Sequence, residues 1–133
     1  MKVEFETPGD FRCLSFLRRL FYHLAHVKEL ALSSRDSFRL THILIEAYNN
    51  AVVHPHGKKR DRRIQIVIEI FPKRVVLKVG DEGKGWNGKK VRMPKLAATG
   101  GRGLALIKAF GGKIRRQQQK GRHWVHIDYK KTL

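Results

Sequence analysis

The residues best suited to chemistry fall into three short groups. In the first, Glu46, Asn50 and His54 follow one another at intervals of four. At about 100° per residue, positions four apart on a helix stay within about 80° of one another on one stripe. A carboxylate, a carboxamide and an imidazole in one line can accept a proton, ligate a hard cation and hydrogen-bond a polar ligand. A solvated polar edge on an amphipathic helix would carry the same stripe. The second group is Val79-Gly80-Asp81-Glu82-Gly83-Lys84-Gly85, leaving the end of an apolar run. Its glycines let a backbone come close to a ligand, and Asp81 can accept a hydrogen bond from a ligand amine. A glycine-rich loop with no ligand would read alike. The third is Thr99-Gly100-Gly101-Arg102-Gly103-Leu104, opening a helical stretch. Free N–H groups and the positive end of the helix dipole make such a start a seat for phosphate.

The elements that must position these groups can be traced from periodicity. Met1 to Glu6 alternates, with Val3 and Phe5 on one side, and predicts a short strand. Phe11, Leu14, Leu17, Phe21, Leu24 and Leu30 keep helical spacing, with Asp10 placed as an N-cap. Ser33, followed by Asp36 three residues on, resembles a capping box, and a second helix runs from about Arg35 to Val53. Its apolar face is Phe38, Ile43, Ala47 and Ala51, and Pro55 and Gly57 end it. Ile64, Ile66, Ile68 and Ile70 alternate as a strand, and Val75–Val79 follows as its hairpin partner. Leu104 to Phe110 reads as a short helix, and Gly112–Gln119 with His123–Lys130 as a terminal hairpin turning at Lys120-Gly121. The strands run consecutively rather than in strict βαβ units. The expected fold is therefore α+β: a two-layer sandwich with helices on one face of a mixed, mostly antiparallel sheet.

Taken in order, Glu-x-x-x-Asn on a helix, Asp-x-Gly-x-Gly at a strand end and Gly-x-Gly at a helix start resemble the GHKL ATPase superfamily, whose nucleotide-binding domains have the Bergerat fold. Glu46 to His54 resembles its N-box, Asp81 to Trp86 its first glycine box, and Gly101 to Ile107 its second. The resemblance runs from about Phe11 to Tyr129 and implies a single histidine-kinase-like ATP-binding domain over residues 1–133. The length, with Glu46-Ala47 ahead of Asn50 and His54 after it, is similar to the anti-sigma-factor serine kinases. That branch binds ATP with Mg²⁺, phosphorylates a serine on an anti-sigma-factor antagonist and sequesters a sigma factor. By position, the resemblance implies that Glu46 is the general base and that Asn50 ligates Mg²⁺. Asp81 would read the adenine amino group, while Gly83 and Gly85 let the backbone pass the base and sugar. Gly101, Arg102, Gly103 and Leu104 would form the phosphate-binding turn, and His54 would support the stripe. The family often places a Thr or Ser near the last strand; Gly121-Arg122-His123-Trp124 has neither. The segment from Trp86 to Gly100 is short for an ATP lid and carries Lys89, Lys90, Arg92 and Lys95.

Composition sets the outer limits. The chain has 133 residues, 41% of them hydrophobic, which suits one domain with a core. Cys13 is its one cysteine, which excludes an internal disulfide and cysteine-rich zinc sites, and a reducing, cytoplasmic setting is expected. No apolar run approaches the ~18 residues of a membrane span. His54-Pro55-His56 lacks the further ligands of a metal site. Lys and Arg number 29 against 11 Asp and Glu, a formal net charge of +18. Residues 1–57 carry 7 basic and 6 acidic side chains, whereas residues 58–133 carry 22 and 5. So skewed a balance calls for anionic partners. Because the charges are spread over loops and alternating strand positions, ATP phosphates and a protein partner are expected, with nucleic-acid binding secondary or non-specific. Trp86 and Trp124 read as packing residues. The first helix and N-terminal strand offer an interface for a second copy. Two other functions fit the same residues: an ATP-binding switch without useful kinase activity, and a basic nucleic-acid-binding protein.

Overall fold

The alternation at the N-terminus becomes an edge strand, β1 (Lys2–Pro8), slightly longer than the spacing predicts. A computed structural model of the chain describes residues 1–53, 63–81 and 101–132. After β1 come α1 (Leu14–Leu24), α2 (Ser34–Val53), β2 (Arg63–Ile70), β3 (Arg74–Asp81), α3 (Gly101–Ala109), β4 (Gly112–Gln119) and β5 (Arg122–Lys130). The strands form one sheet in the order β1-β2-β3-β5-β4. All four pairings are antiparallel, so the described sheet contains no parallel pair. The last hairpin turns at Lys120-Gly121, where φ is +52° and +75°. Two positive values suit a type I′ turn, whose twist matches that of the flanking strands.

The register separates the sheet into two faces. On the inner face Ile64, Ile66, Ile68 and Ile70 meet Val75, Leu77, Val79 and Ile127, all buried. The helices cover this face with Leu17, Phe21 and Leu24 from α1, and Leu40, Ile43, Leu44, Ala47, Tyr48 and Ala51 from α2. Leu104 and Ile107 of α3 complete the layer. The outer face is polar. Glu6, Gln65, Gly80, Trp124 and Gln117 form one row across the five strands; Glu4, Val67, Lys78, His126 and Arg115 form the next. Phe38, which spacing assigns to the apolar face of α2, is 58% exposed and packs instead on His42 and Phe110.

The helix expected from Phe11 to Leu30 is broken. A single 3-10 turn covers Phe11–Cys13, with Asp10 as its N-cap, and α1 stops at Leu24. A second such turn covers Lys28–Leu30 and closes at Ala31, where φ is +49°. Tertiary structure overrides the period here. Leu30 and Leu32 both turn into the core, and the Leu30 carbonyl accepts a 2.6 Å hydrogen bond from Lys131 Nζ. Ser33 does cap α2, its hydroxyl oxygen accepting from the Asp36 N–H at 3.0 Å. The Asp36 carboxylate does not complete a capping box. It accepts from Tyr129 Oη at 2.6 Å, the Thr132 hydroxyl at 2.7 Å and the Thr132 N–H at 3.0 Å. At the other end of the core, Tyr48 Oη lies 2.8 Å from both the Pro8 and Asp10 carbonyls and accepts from Thr7 Oγ1. Two buried polar anchors thus pin α2 between β1 and the C-terminal segment.

Candidate functional site

α2 carries Glu46 and Asn50 on a half-buried stripe, between the core residues Ala47 and Ala51 and the solvent. Their four-residue spacing places both toward α3. The start of α3 comes so close that a Cβ on Gly103 would stand 2.7 Å from Glu46 Oε2. The same point would lie 3.6 Å from Asn50 Nδ2 and 3.7 Å from its Oδ1. Only a residue without a side chain lets the first turn of α3 lie against both polar groups. The N–H groups of that turn have no partners within the helix, so α3 turns these donors and a positive dipole end toward the carboxylate and amide of α2. The helix begins at Gly101, three residues before the predicted start.

Beside this junction a narrow cleft with about 20 Å³ of open space lies between helices and sheet. Ala47, Asn50 and Ala51 of α2 form one wall, and Leu104 and Ile107 of α3 another. Val79 and Asp81 of β3, Arg116 of β4, and His123 and Val125 of β5 form the floor. Apolar walls with a few fixed polar groups suit a flat, heteroaromatic ligand. Asp81 is 3% exposed at the end of β3, opposite His123 in the β3–β5 ladder. A buried carboxylate at this position can accept a hydrogen bond from an exocyclic amine.

His123 and Arg116 are the site residues that motif reading missed. The signal for His123 was available: it shares the parity of Val125, Ile127 and Tyr129 on β5, so it must point inward. Burial, with the Arg116 guanidinium adding to it, holds the His123 imidazole down at about 4. It is therefore neutral at pH 7, with one ring nitrogen as donor and the other as acceptor. Burial also lowers Arg116 from its ordinary value. Where the resembled family often has a hydroxyl, this cavity has an imidazole and a guanidinium.

The structure thus brings together Glu46, Asn50, Asp81, Gly103 and Leu104. Gly101 and Arg102 enter through their place in the first turn of α3. Gly83, Gly85, His54, Trp86 and the lid segment lie outside the described residues. Among the described residues, no cluster of three His, Cys, Asp or Glu could hold a metal ion by itself. A magnesium nucleotide does not need one, since Mg²⁺ is commonly held by one or two side chains together with phosphates and water. The amide oxygen of Asn50, beside Glu46 and the α3 turn, fits that requirement.

Among the described residues, an open antiparallel sheet under three helices, with a polar helix stripe facing a glycine-led helix start, defines a nucleotide-binding α+β domain. The chain belongs to the family described as the histidine kinase-like ATPase domain, whose family model matches residues 14–128. No curated protein gives a significant match to it. Among solved structures it is similar to the RsbU and RsbW domains of Rv1364c from Mycobacterium tuberculosis, at 15% identity and a TM-score of 0.69. That match covers 98% of this chain and 32% of the other, so this chain spans about a third of its length. It is also similar to the catalytic domain of the histidine kinase ThkA, at 20% identity and a TM-score of 0.53, covering 99% and 98% of the two chains. The Acinetobacter baumannii histidine kinase AdeS matches at 20% identity and a TM-score of 0.52, covering 97% of this chain and 68% of that one. At such identities these likenesses bear on the fold. Domains of the matched family bind ATP, generally with Mg²⁺. No helix among the described residues is long and apolar enough to cross a membrane.

Proposed function

We propose that this chain is an ATP-dependent serine/threonine protein kinase of the anti-sigma-factor type, acting on a protein antagonist and regulating transcription through its partners. The observation that carries this reading is the approach of Gly103 to Glu46 and Asn50, beside a cavity floored by Asp81. A base, a magnesium ligand and a phosphate-facing helix start would then stand together at the mouth of the cleft floored by Asp81. Asp81 would read the adenine amine, and the apolar walls from Ala47, Ala51, Leu104 and Ile107 would sandwich the ring. Asn50 would hold Mg²⁺, which when bound neutralises phosphate charge. Glu46 would accept the proton of the attacking hydroxyl, a task suited to a carboxylate within reach of the transferred group. The match to a protein containing an RsbW domain supports the choice of branch. The single Cys13 agrees with a cytoplasmic setting.

Calorimetry of ATP binding with and without Mg²⁺ tests the site. Asp81→Asn replaces a pure acceptor with a mixed group and should weaken binding by about 1–3 kcal/mol. Unchanged affinity would remove Asp81 from nucleotide recognition. The replacement of the usual hydroxyl by His123 and Arg116 favours one second reading, an ATP-loaded switch that controls a partner by binding alone. No turnover by the wild-type chain with a cognate serine-bearing partner, despite tight ATP binding, would establish that alternative.

A further inference from the structure

The face of the sheet turned away from the helices has features that nucleotide binding does not use. Gly80 and Trp124 are direct neighbours across the β3–β5 ladder on this face. A Cβ on Gly80 would lie 2.6 Å from Trp124 Cε3 and 2.7 Å from both Cδ2 and Cζ3. Near-equal distances to three consecutive ring atoms are met only over the face of the ring, because an approach in the ring plane would leave two of them about 1 Å farther away. The indole therefore lies flat on the glycine. It is only half-buried, so part of the ring still faces solvent. Gln65 and Gln117 occupy the same row on either side of the Gly80–Trp124 pair.

Charge on this face is unevenly matched. Glu69, Asp128 and Glu6 pair with Lys78, Arg74 and Arg122 at 3.2–3.5 Å. Lys113, Arg115 and Lys120 are exposed, and among the described residues no carboxylate lies within ion-pair distance of them. The surplus gathers along β4 and its turn, beside Trp124. Open grooves of about 400 and 490 Å³ run past these residues. In the sequence Arg116 stands among these cations; the strand period turns Lys113 and Arg115 to this face and Arg116 to the other.

We propose that this outer sheet face binds single-stranded nucleic acid, with a base stacked on Trp124 and phosphates met by Lys113, Arg115 and Lys120. Flat aromatic platforms beside a basic groove are how sheet surfaces hold single strands without strong sequence preference. The flanking glutamines can donate to and accept from base edges. An acidic protein segment would use the cations but has no need of an indole held flat. The proposal is independent of the kinase reading, because this surface lies on the opposite side of the sheet from the nucleotide cavity.

Fluorescence anisotropy with a labelled oligothymidylate of about 12 nucleotides, on the full chain at about 0.15 M salt, tests it. Wild type should bind, and saturating Mg²⁺–ATP should not displace the oligonucleotide. Trp124→Ala should lower affinity about tenfold or more, and Trp124→Phe should restore most of it. Lys113→Gln with Arg115→Gln, both exposed and harmless to the core, should weaken binding. The pair should also reduce the slope of log K against log salt by about 0.7 for each charge removed. Circular dichroism melts identify any variant that fails to fold; should Trp124→Ala fail, the phenylalanine and glutamine variants decide. No binding by wild type, or glutamine variants that leave both affinity and slope unchanged, would overturn the proposal. So would polyglutamate displacing the probe as well as unlabelled oligothymidylate does, which would assign the face to an acidic protein partner.

Discussion

Glu46 and His123 show how burial decides what a polar side chain can do. Glu46 sits half-buried against Gly103, where a carboxylate can reach both solvent and a ligand at the α3 turn. Glu46→Gln keeps its shape and removes its basicity. Phosphotransfer should fall by ~10²–10⁴-fold while ATP affinity measured by calorimetry stays within about twofold of wild type. Equal turnover in the two proteins would take Glu46 out of the mechanism. His123 is deeper, and its protonation at about 4 in the folded chain compares with 6.5 for an ordinary histidine. Between those values the unfolded chain binds more protons than the folded one. Stability therefore falls as pH drops from about 6.5 toward 4, and His123 is without effect on the slope above that window. At about 1.36 kcal/mol per pH unit the loss is of order 3 kcal/mol. Urea denaturation of wild type and His123→Gln across this range checks it: the variant should lose that part of the slope.

At the scale of elements, the site depends on how closely the first turn of α3 meets α2. A methyl group at position 103 would stand 2.7 Å from Glu46 Oε2, too near to be accommodated without movement. The carboxylate is the end of a flexible side chain, so the fold should survive while Glu46 swings aside. Gly103→Ala is expected to leave the melting temperature within a few degrees of wild type and to reduce kcat far more than it raises the KM for ATP. A variant with wild-type kcat would show that the close approach has no catalytic importance. Helix α2 can hold its side of the junction because both its ends are anchored, by Ser33 at the N-cap and by Tyr48 against the end of β1.

Across the whole molecule, one buried carboxylate ties the first residues of α2 to the last residues of the chain. Asp36 is 1% exposed and accepts from Tyr129, from Thr132 and, through its own N–H, leaves Ser33 as the cap. Burial pushes its carboxyl up, and the hydrogen bonds from Tyr129, both Thr132 donors and Ser33 outweigh that, leaving it below the usual 3.8. The stabilisation is present above about 3.8 and is lost as pH falls toward the lower folded value. Asp36→Asn should cost about 2–3 kcal/mol at pH 7, on the scale of hydrogen bonds to a buried charge, and should flatten the acid limb below the His123 window. Urea midpoints at pH 7 and pH 3 measure both effects. A variant as stable as wild type at pH 7 would mean that the C-terminal segment is held by packing alone.

The periodicities alone placed five strands, the long second helix and the glycine-led third one, because each is a local pattern of two or 3.6 residues. The order of Glu46, Asn50, Asp81 and Gly103 was likewise legible, since each motif lies within one element or at its end. Three things were decided only in the folded chain. The break after Leu24 goes with a contact that no local pattern contains, Lys131 reaching the Leu30 carbonyl across 101 positions of sequence. The composition of the cavity floor depends on register, which sets His123 opposite Asp81 and Arg116 beside Val125. The outer face depends on the same register, which lays Trp124 on Gly80 and sets Gln117 of β4 opposite Trp124 and Arg115 opposite His126. Local spacing fixes which way a side chain points along its own strand. Which residue it then meets is a property of strand order, and no local pattern contains that order.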